Sequence, residues 1–80
     1  MTTASSNYFI FVVMQHDGNY IVGTATNPAL RIAAINSGLN PRVRQRQTIK
    51  QVIEIKPISS NAIINITEQL TQDGKKVLVV

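Results

Sequence analysis

The segment 9–14 constrains the fold of this chain more than any other. It reads Phe-Ile-Phe-Val-Val-Met, so both of its alternating sets of side chains are apolar. Because successive side chains of a strand point to opposite faces, a strand of this kind needs cover on both sides. The run is also far shorter than the ~18–20 apolar residues of a membrane-spanning helix. The sequence therefore predicts a central strand, over residues 7–14, between two layers of structure, and no membrane partner.

The rest of the chain supplies the elements of those layers. An Asp17-Gly18 pair predicts a hairpin into a second strand over 20–24. Asn27-Pro28 predicts the start of a helix over 28–37, and Gly38 its end. Further on, the patterns predict a strand over 48–56, a helix over 62–71 and a terminal strand over 75–80. The predicted fold is a small α/β (α+β) domain of order ββαβα(β), with an antiparallel sheet flanked by helices.

Length and composition limit the organisation of the chain and its chemistry. Eighty residues are enough for one small domain. We expect a disordered polar tail over residues 1–6 and a single domain over residues 7–80. There is no cysteine and only one histidine, so neither disulfides nor a metal site is expected. The N-terminus lacks the basic segment of a signal peptide, which predicts a cytoplasmic protein.

The positive charge is concentrated in one part of the sequence. Residues 42–56 hold five basic side chains and one acidic one, which gives 5 − 1 = +4, the whole net charge of the chain. Arg42, Arg44 and Arg46 alternate with other residues, so an extended segment would place them on one side. The following strand alternates too, which predicts an apolar face with Ile53 and a basic face with Lys50. Such a patch favours a polyanionic partner, of which nucleic acid is the commonest; the alternative is a solvated loop.

Residues 9–38 carry a set of motifs at fixed spacing. Phe9-Ile10-Phe11 precedes the hairpin and Ile21-Val22-Gly23 follows it; Arg31 stands eight residues after Gly23, and Asn36-Ser37-Gly38 ends the helix. In this order they resemble the N-terminal half of a GIY-YIG domain, the small nuclease module of homing endonucleases and nucleotide-excision repair nucleases. The resemblance implies the same ββαβα order and a partner that is a nucleic acid, with DNA favoured over RNA.

The departures from that family concern its catalytic groups. The family is thought to use tyrosine hydroxyls, a helix arginine and histidine, and a glutamate that binds a divalent metal. The positions that match these groups are Phe11, Ile21, Arg31, Ile35 and, on the second helix, Asn65 or Ile66. Only Arg31 keeps the family's polar group, and apolar side chains can neither move a proton nor bind a metal. Loss of four such groups is expected to abolish cleavage.

The leading hypothesis is a catalytically degenerate GIY-YIG-like domain without a cofactor. It would bind nucleic acid, or a nucleic-acid-associated protein, without cleaving anything. The residues expected to contact phosphates are Arg31, Arg42, Arg44, Arg46 and Lys50.

Two alternatives belong to other classes of function. The first is a divergent endonuclease, dependent on a divalent metal, in which a bulge and a helix register shift bring Tyr20 and Glu68 to Arg31. The second is a small protein-interaction or inhibitor module, which includes a homodimer. It would use an exposed terminal strand or the apolar floor formed by Phe11 and Ile35. The sequence leaves open whether that floor is core or a surface for a partner.

Overall fold

A computed structural model describes residues 8–59 and 61–80 of the chain; the expected disordered tail over residues 1–6 lies outside them. The elements are β1 (Phe9–Gln15), β2 (Tyr20–Ala25), α1 (Pro28–Asn36), β3 (Ile49–Pro57), α2 (Ala62–Gln72) and β4 (Val77–Val79). The predicted order is therefore confirmed. Within the described ranges, neither helix has the length and apolar content needed to cross a membrane.

The four strands form one mixed sheet in the order β3-β1-β2-β4. β1 is central and pairs antiparallel with both β2 and β3, as the two-sided apolar pattern predicts. The prediction of an antiparallel sheet is wrong for β4, which pairs parallel with β2. The reason is the connection: α2 carries the chain from β3 back to its starting end, so β4 runs parallel to β3 and hence to β2.

The two helices cover opposite faces of the sheet. On the α1 side, the core is made of Phe11, Val13, Ile21, Ala25, Ile35 and Val43. On the α2 side, it is made of Ile10, Val12, Val22 and Ala62, with Ile66 and Leu70 packed against them. Both alternating sets of β1 side chains are thus buried, which is why the strand needs no polar face.

Local chemistry sets both ends of α1. The Asn27 side-chain oxygen accepts from the N–H of Leu30 at 3.1 Å, and Pro28 occupies the first helical turn. At the other end Gly38 has φ +79°, and the N–H groups of Gly38 and Leu39 bond back to the last turn of the helix at 3.1 Å each. This Schellman motif ends the helix and directs the chain into a loop over residues 39–48.

The edge strand β3 departs from strict alternation. Its pairing with β1 skips Lys50 and Ile53, which gives two β-bulges. Because each bulge reverses the facing of the residues beyond it, Ile49, Val52 and Ile55 all share the α1 side with their partners on β1. The predicted apolar face therefore exists with one member changed: Val52 lies on it, whereas Ile53 lies on the α2 side near Val12.

Candidate functional site

The positions that match the nuclease family's catalytic groups on β1, β2 and α1 lie together. Phe11 and Ile21 are fully buried and Ile35 is 1% exposed, all in the α1-side core. The Phe11 ring lies directly against Gly23: a Cβ atom at Gly23 would come within 2.5 Å of the ring's Cζ. The apolar floor is therefore core and not a surface open to a partner.

The C-terminal residues close the floor from above. Leu78 and Val80 pack against the α1-side core, and a Val80 methyl would lie 2.9 Å from a Cβ at Gly23. Arg42 holds this end in place, because its guanidinium donates to the carbonyl oxygen of Val79 at 2.6 Å. β4 is still an outer strand of the sheet and Val79 is 36% exposed, so the expected exposed terminal strand is present, with one of its carbonyl oxygens bonded to Arg42.

Arg31 lies on the exposed side of α1, above this core. It lines a shallow groove of about 330 Å³ with Tyr8 and the first turn of the helix. A second groove, of about 260 Å³, runs from Arg31 to Leu39 and Pro41. The guanidinium therefore reaches solvent between two depressions, a position from which it can bind an anion as a planar fork.

The remaining candidates for catalysis lie on the other side of the sheet. Tyr20 packs against the α2-side core, and so does Ile66. Glu68 and Asn65 are exposed on α2. The structure does not bring Tyr20, Arg31 and Glu68 together, because the sheet separates α1 from α2.

The loop with three arginines is folded and does not form an extended arm. Its first turn, Asn40 to Val43, is closed by a 3.0 Å backbone bond. Val43 is only 5% exposed and belongs to the α1-side core. At the end of the loop, Asn36 accepts from the N–H of Gln47 at 2.7 Å through its backbone oxygen and from that of Ile49 at 3.0 Å through its side chain.

The segment is therefore not extended, so the condition under which Arg42, Arg44 and Arg46 would share one side is not met. Turns occur at Arg42 and at Arg46, and Arg42 is engaged with Val79. Arg44 and Arg46 are exposed, and Arg46 borders a third groove, of about 540 Å³, with Leu39 and Gln47.

We call α1 and its flanking segments, residues 26–48, the arginine layer. It holds all four arginines of the chain and no Asp or Glu. The rest of the chain holds four lysines against four carboxylates, so the arginine layer carries a charge of +4 and the remainder 4 − 4 = 0. The three grooves adjoin one another along this layer through Arg31 and Leu39.

The basic side chains of residues 42–56 are divided between the arginine layer and β3 in the structure. Lys50 lies on β3 and is exposed. Lys56 pairs with Glu54 at 3.5 Å, which is the one ion pair among residues 8–59 and 61–80. The segment 42–56 includes β3 with Glu54 and leaves out Arg31, whereas the arginine layer includes Arg31 and holds no acidic side chain.

In the described part of the chain, no three His, Asp or Glu side chains lie close enough together to hold a metal ion. Comparison of the chain with protein-family models, with curated proteins and with solved structures gave no match.

Proposed function

We propose that this chain is a catalytically degenerate GIY-YIG-like domain that binds nucleic acid in the cytoplasm and does not cleave it. The observation that carries the proposal is the arginine layer. It has a charge of +4, whereas the rest of the chain has no net charge. A surface with one sign of charge raises the local concentration of a polyanion and speeds its association. The preference for DNA over RNA follows from the family resemblance alone.

The kind of side chain supports a phosphate partner. All the basic residues of the layer are arginines, and all four lysines lie outside it. Arginine presents a rigid fork that matches two phosphate oxygens, whereas a lysine offers only a point charge. With Arg42 bonded to Val79, the side chains of the layer that would contact phosphates are Arg31, Arg44 and Arg46; Lys50 is exposed on β3, outside the layer.

The buried floor under Arg31 supports binding without cleavage. Phe11, Ile21 and Ile35 fill the space where the related nucleases are thought to place reacting groups. None of these side chains can activate a water molecule or bind a metal.

The test is a salt series with fluorescein-labelled duplex DNA, single-stranded DNA and RNA, measured by fluorescence anisotropy. Binding through three or four phosphate contacts predicts a log–log salt slope of about −3. Replacing Arg44 and Arg46 by Ala together should flatten that slope by about two units. The matched control is Lys75→Ala/Lys76→Ala, which removes the same charge outside the arginine layer and should leave the slope unchanged.

Two results would overturn the proposal. One is the absence of binding at ~50 mM salt, where phosphate contacts are strongest. The other is an equal loss in the control variant, since it would mean that net charge alone and not the arginine layer decides binding. If neither DNA nor RNA binds, an acidic protein surface becomes the better candidate for the partner of the arginine layer.

A further inference from the structure

The strand β3 is an uncovered edge of the sheet. Its nine residues pair with β1 on one side, and among the described residues no strand pairs with the other side. α1 and α2 pack chiefly over β1, β2 and β4. As a result Val52, Ile53 and Ile55 are 43%, 45% and 45% exposed. A long edge with exposed apolar side chains is a template for pairing with another strand.

The sequence of this edge is complementary to itself. The three apolar side chains on its α1 side, Ile49, Val52 and Ile55, are evenly spaced and symmetric about Val52. Lys50 and Glu54 are symmetric about the same residue and carry opposite charges. An antiparallel second copy centred on Val52 would therefore place Ile49 opposite Ile55 and Lys50 opposite Glu54.

We propose that two copies of this chain pair antiparallel through β3, on a two-fold axis beside Val52. The pairing joins two four-stranded sheets into one of eight strands. It satisfies backbone groups that the edge leaves to solvent and buries six apolar side chains in one stripe. It also forms two Lys50–Glu54 contacts between copies, and opposite charges on facing positions favour this register over shifted ones. The interface is small, so we expect a dissociation constant on the order of micromolar or weaker.

The dimer would change the geometry of the arginine layer as well. A two-fold axis perpendicular to the sheet keeps both α1 helices on the same face, so the two layers present eight arginines side by side. The dimer is a property of β3 alone, and it is measured without nucleic acid. Its failure therefore leaves the proposed binding function untouched.

The competing outcome is a monomer. β-Bulges and lysines are also the devices by which proteins prevent pairing at such an edge. Sedimentation velocity of the full chain from ~5 μM to ~1 mM separates the two outcomes, because this range spans the expected dissociation constant. A concentration-dependent shift from monomer to dimer is expected; a monomer at every concentration would overturn the proposal.

A substitution at the axis tests where the copies meet. Val52→Lys would oppose two lysines across the axis, with Cβ atoms about 5 Å apart, and should weaken the dimer at least about tenfold. The matched control is Ile64→Lys, the same chemical change at a residue on α2 that is 59% exposed; it should leave association unchanged. A dimer that tolerates Val52→Lys uses another surface, and the proposal is then wrong.

A charge exchange tests the register and does not depend on core packing. Lys50→Glu or Glu54→Lys alone places like charges opposite one another twice and should weaken association about three- to tenfold. The double variant Lys50→Glu/Glu54→Lys restores opposite charges and should recover the dimer. If the double variant is no better than the single ones, Lys50 does not face Glu54 and the proposed register is overturned.

Discussion

At the scale of single residues, the contact between Phe11 and Gly23 shows how closely the α1-side core is packed. Gly23 pairs with Phe11 across β1 and β2, and the Phe11 ring occupies the space that any Cβ would fill. Glycine is thus required here for close approach and not for an unusual backbone angle. A hydroxyl on the ring, as in the nuclease family's tyrosine, would be buried in this same contact.

Gly23→Ala is expected to destabilise the fold by about 1–3 kcal/mol, because the added methyl overpacks the core against the ring. Urea denaturation followed by circular dichroism measures the change. Phe11→Leu in the same background shortens the opposing side chain, so the double variant should cost less than the sum of the two single ones by about 0.5–2 kcal/mol. Strictly additive costs would contradict a direct clash.

At the scale of elements, the local signals and the central place of β1 were predictable, and the registers of the long-range pairings were not. Asn27, Pro28 and Gly38 set the ends of α1 through bonds within a few residues, so the sequence pattern contains the whole cause. The bulges at Lys50 and Ile53 arise from the fit of β3 to β1. No alternation pattern within β3 alone reveals them.

The loop over residues 39–48 illustrates the same limit. Its alternating arginines were compatible with an extended segment or a solvated loop, yet Val43 is anchored in the core and Arg42 bonds to a residue 37 positions away. One signal was present in the sequence: a lone valine among arginines and polar residues is more consistent with an anchor than with a solvated arm. The bond from Arg42 to Val79 could not be predicted in this way. Its acceptor is a backbone carbonyl, which every residue has, so the residue type at 79 gives no indication of it.

Arg42→Ala is therefore expected to destabilise the protein by about 0.5–1.5 kcal/mol, the usual net contribution of one hydrogen bond. It should also speed hydrogen exchange at the Val80 N–H, which bonds to the carbonyl oxygen of Val22 at 2.9 Å. Arg44→Ala is the matched control, because it removes the same charge from the same loop and should change stability by less than about 0.5 kcal/mol. Equal effects of the two substitutions would mean that charge and not the bond to Val79 is responsible.

At the scale of the whole molecule, the sheet divides the chain into a basic layer and a neutral one. The sequence predicted the number of layers from β1, because a strand with two apolar faces admits few alternatives. It did not predict which candidate residues share a side. That depends on which face of the sheet each helix covers, and nothing in the sequence of either amphipathic helix indicates which face that is. The sequence allowed Tyr20 and Glu68 to meet Arg31 in one site, as the endonuclease alternative requires. The structure places them on the other side of the sheet from Arg31.

This separation leads to the last prediction, that the protein does not cleave DNA or RNA with magnesium or manganese. Arg31 lies on the α1 side, whereas Tyr20 packs against the α2-side core and Glu68 is exposed on α2. One catalytic group is typically worth about a hundredfold or more in rate, and the candidate groups do not meet, so plasmid DNA and labelled RNA should remain intact over hours. Phe11→Tyr should not create activity, because the new hydroxyl would lie in the core and away from water. Cleavage that Arg31→Ala abolishes and Arg46→Ala preserves would contradict this prediction, since it would require catalytic groups to assemble around Arg31 on the α1 side.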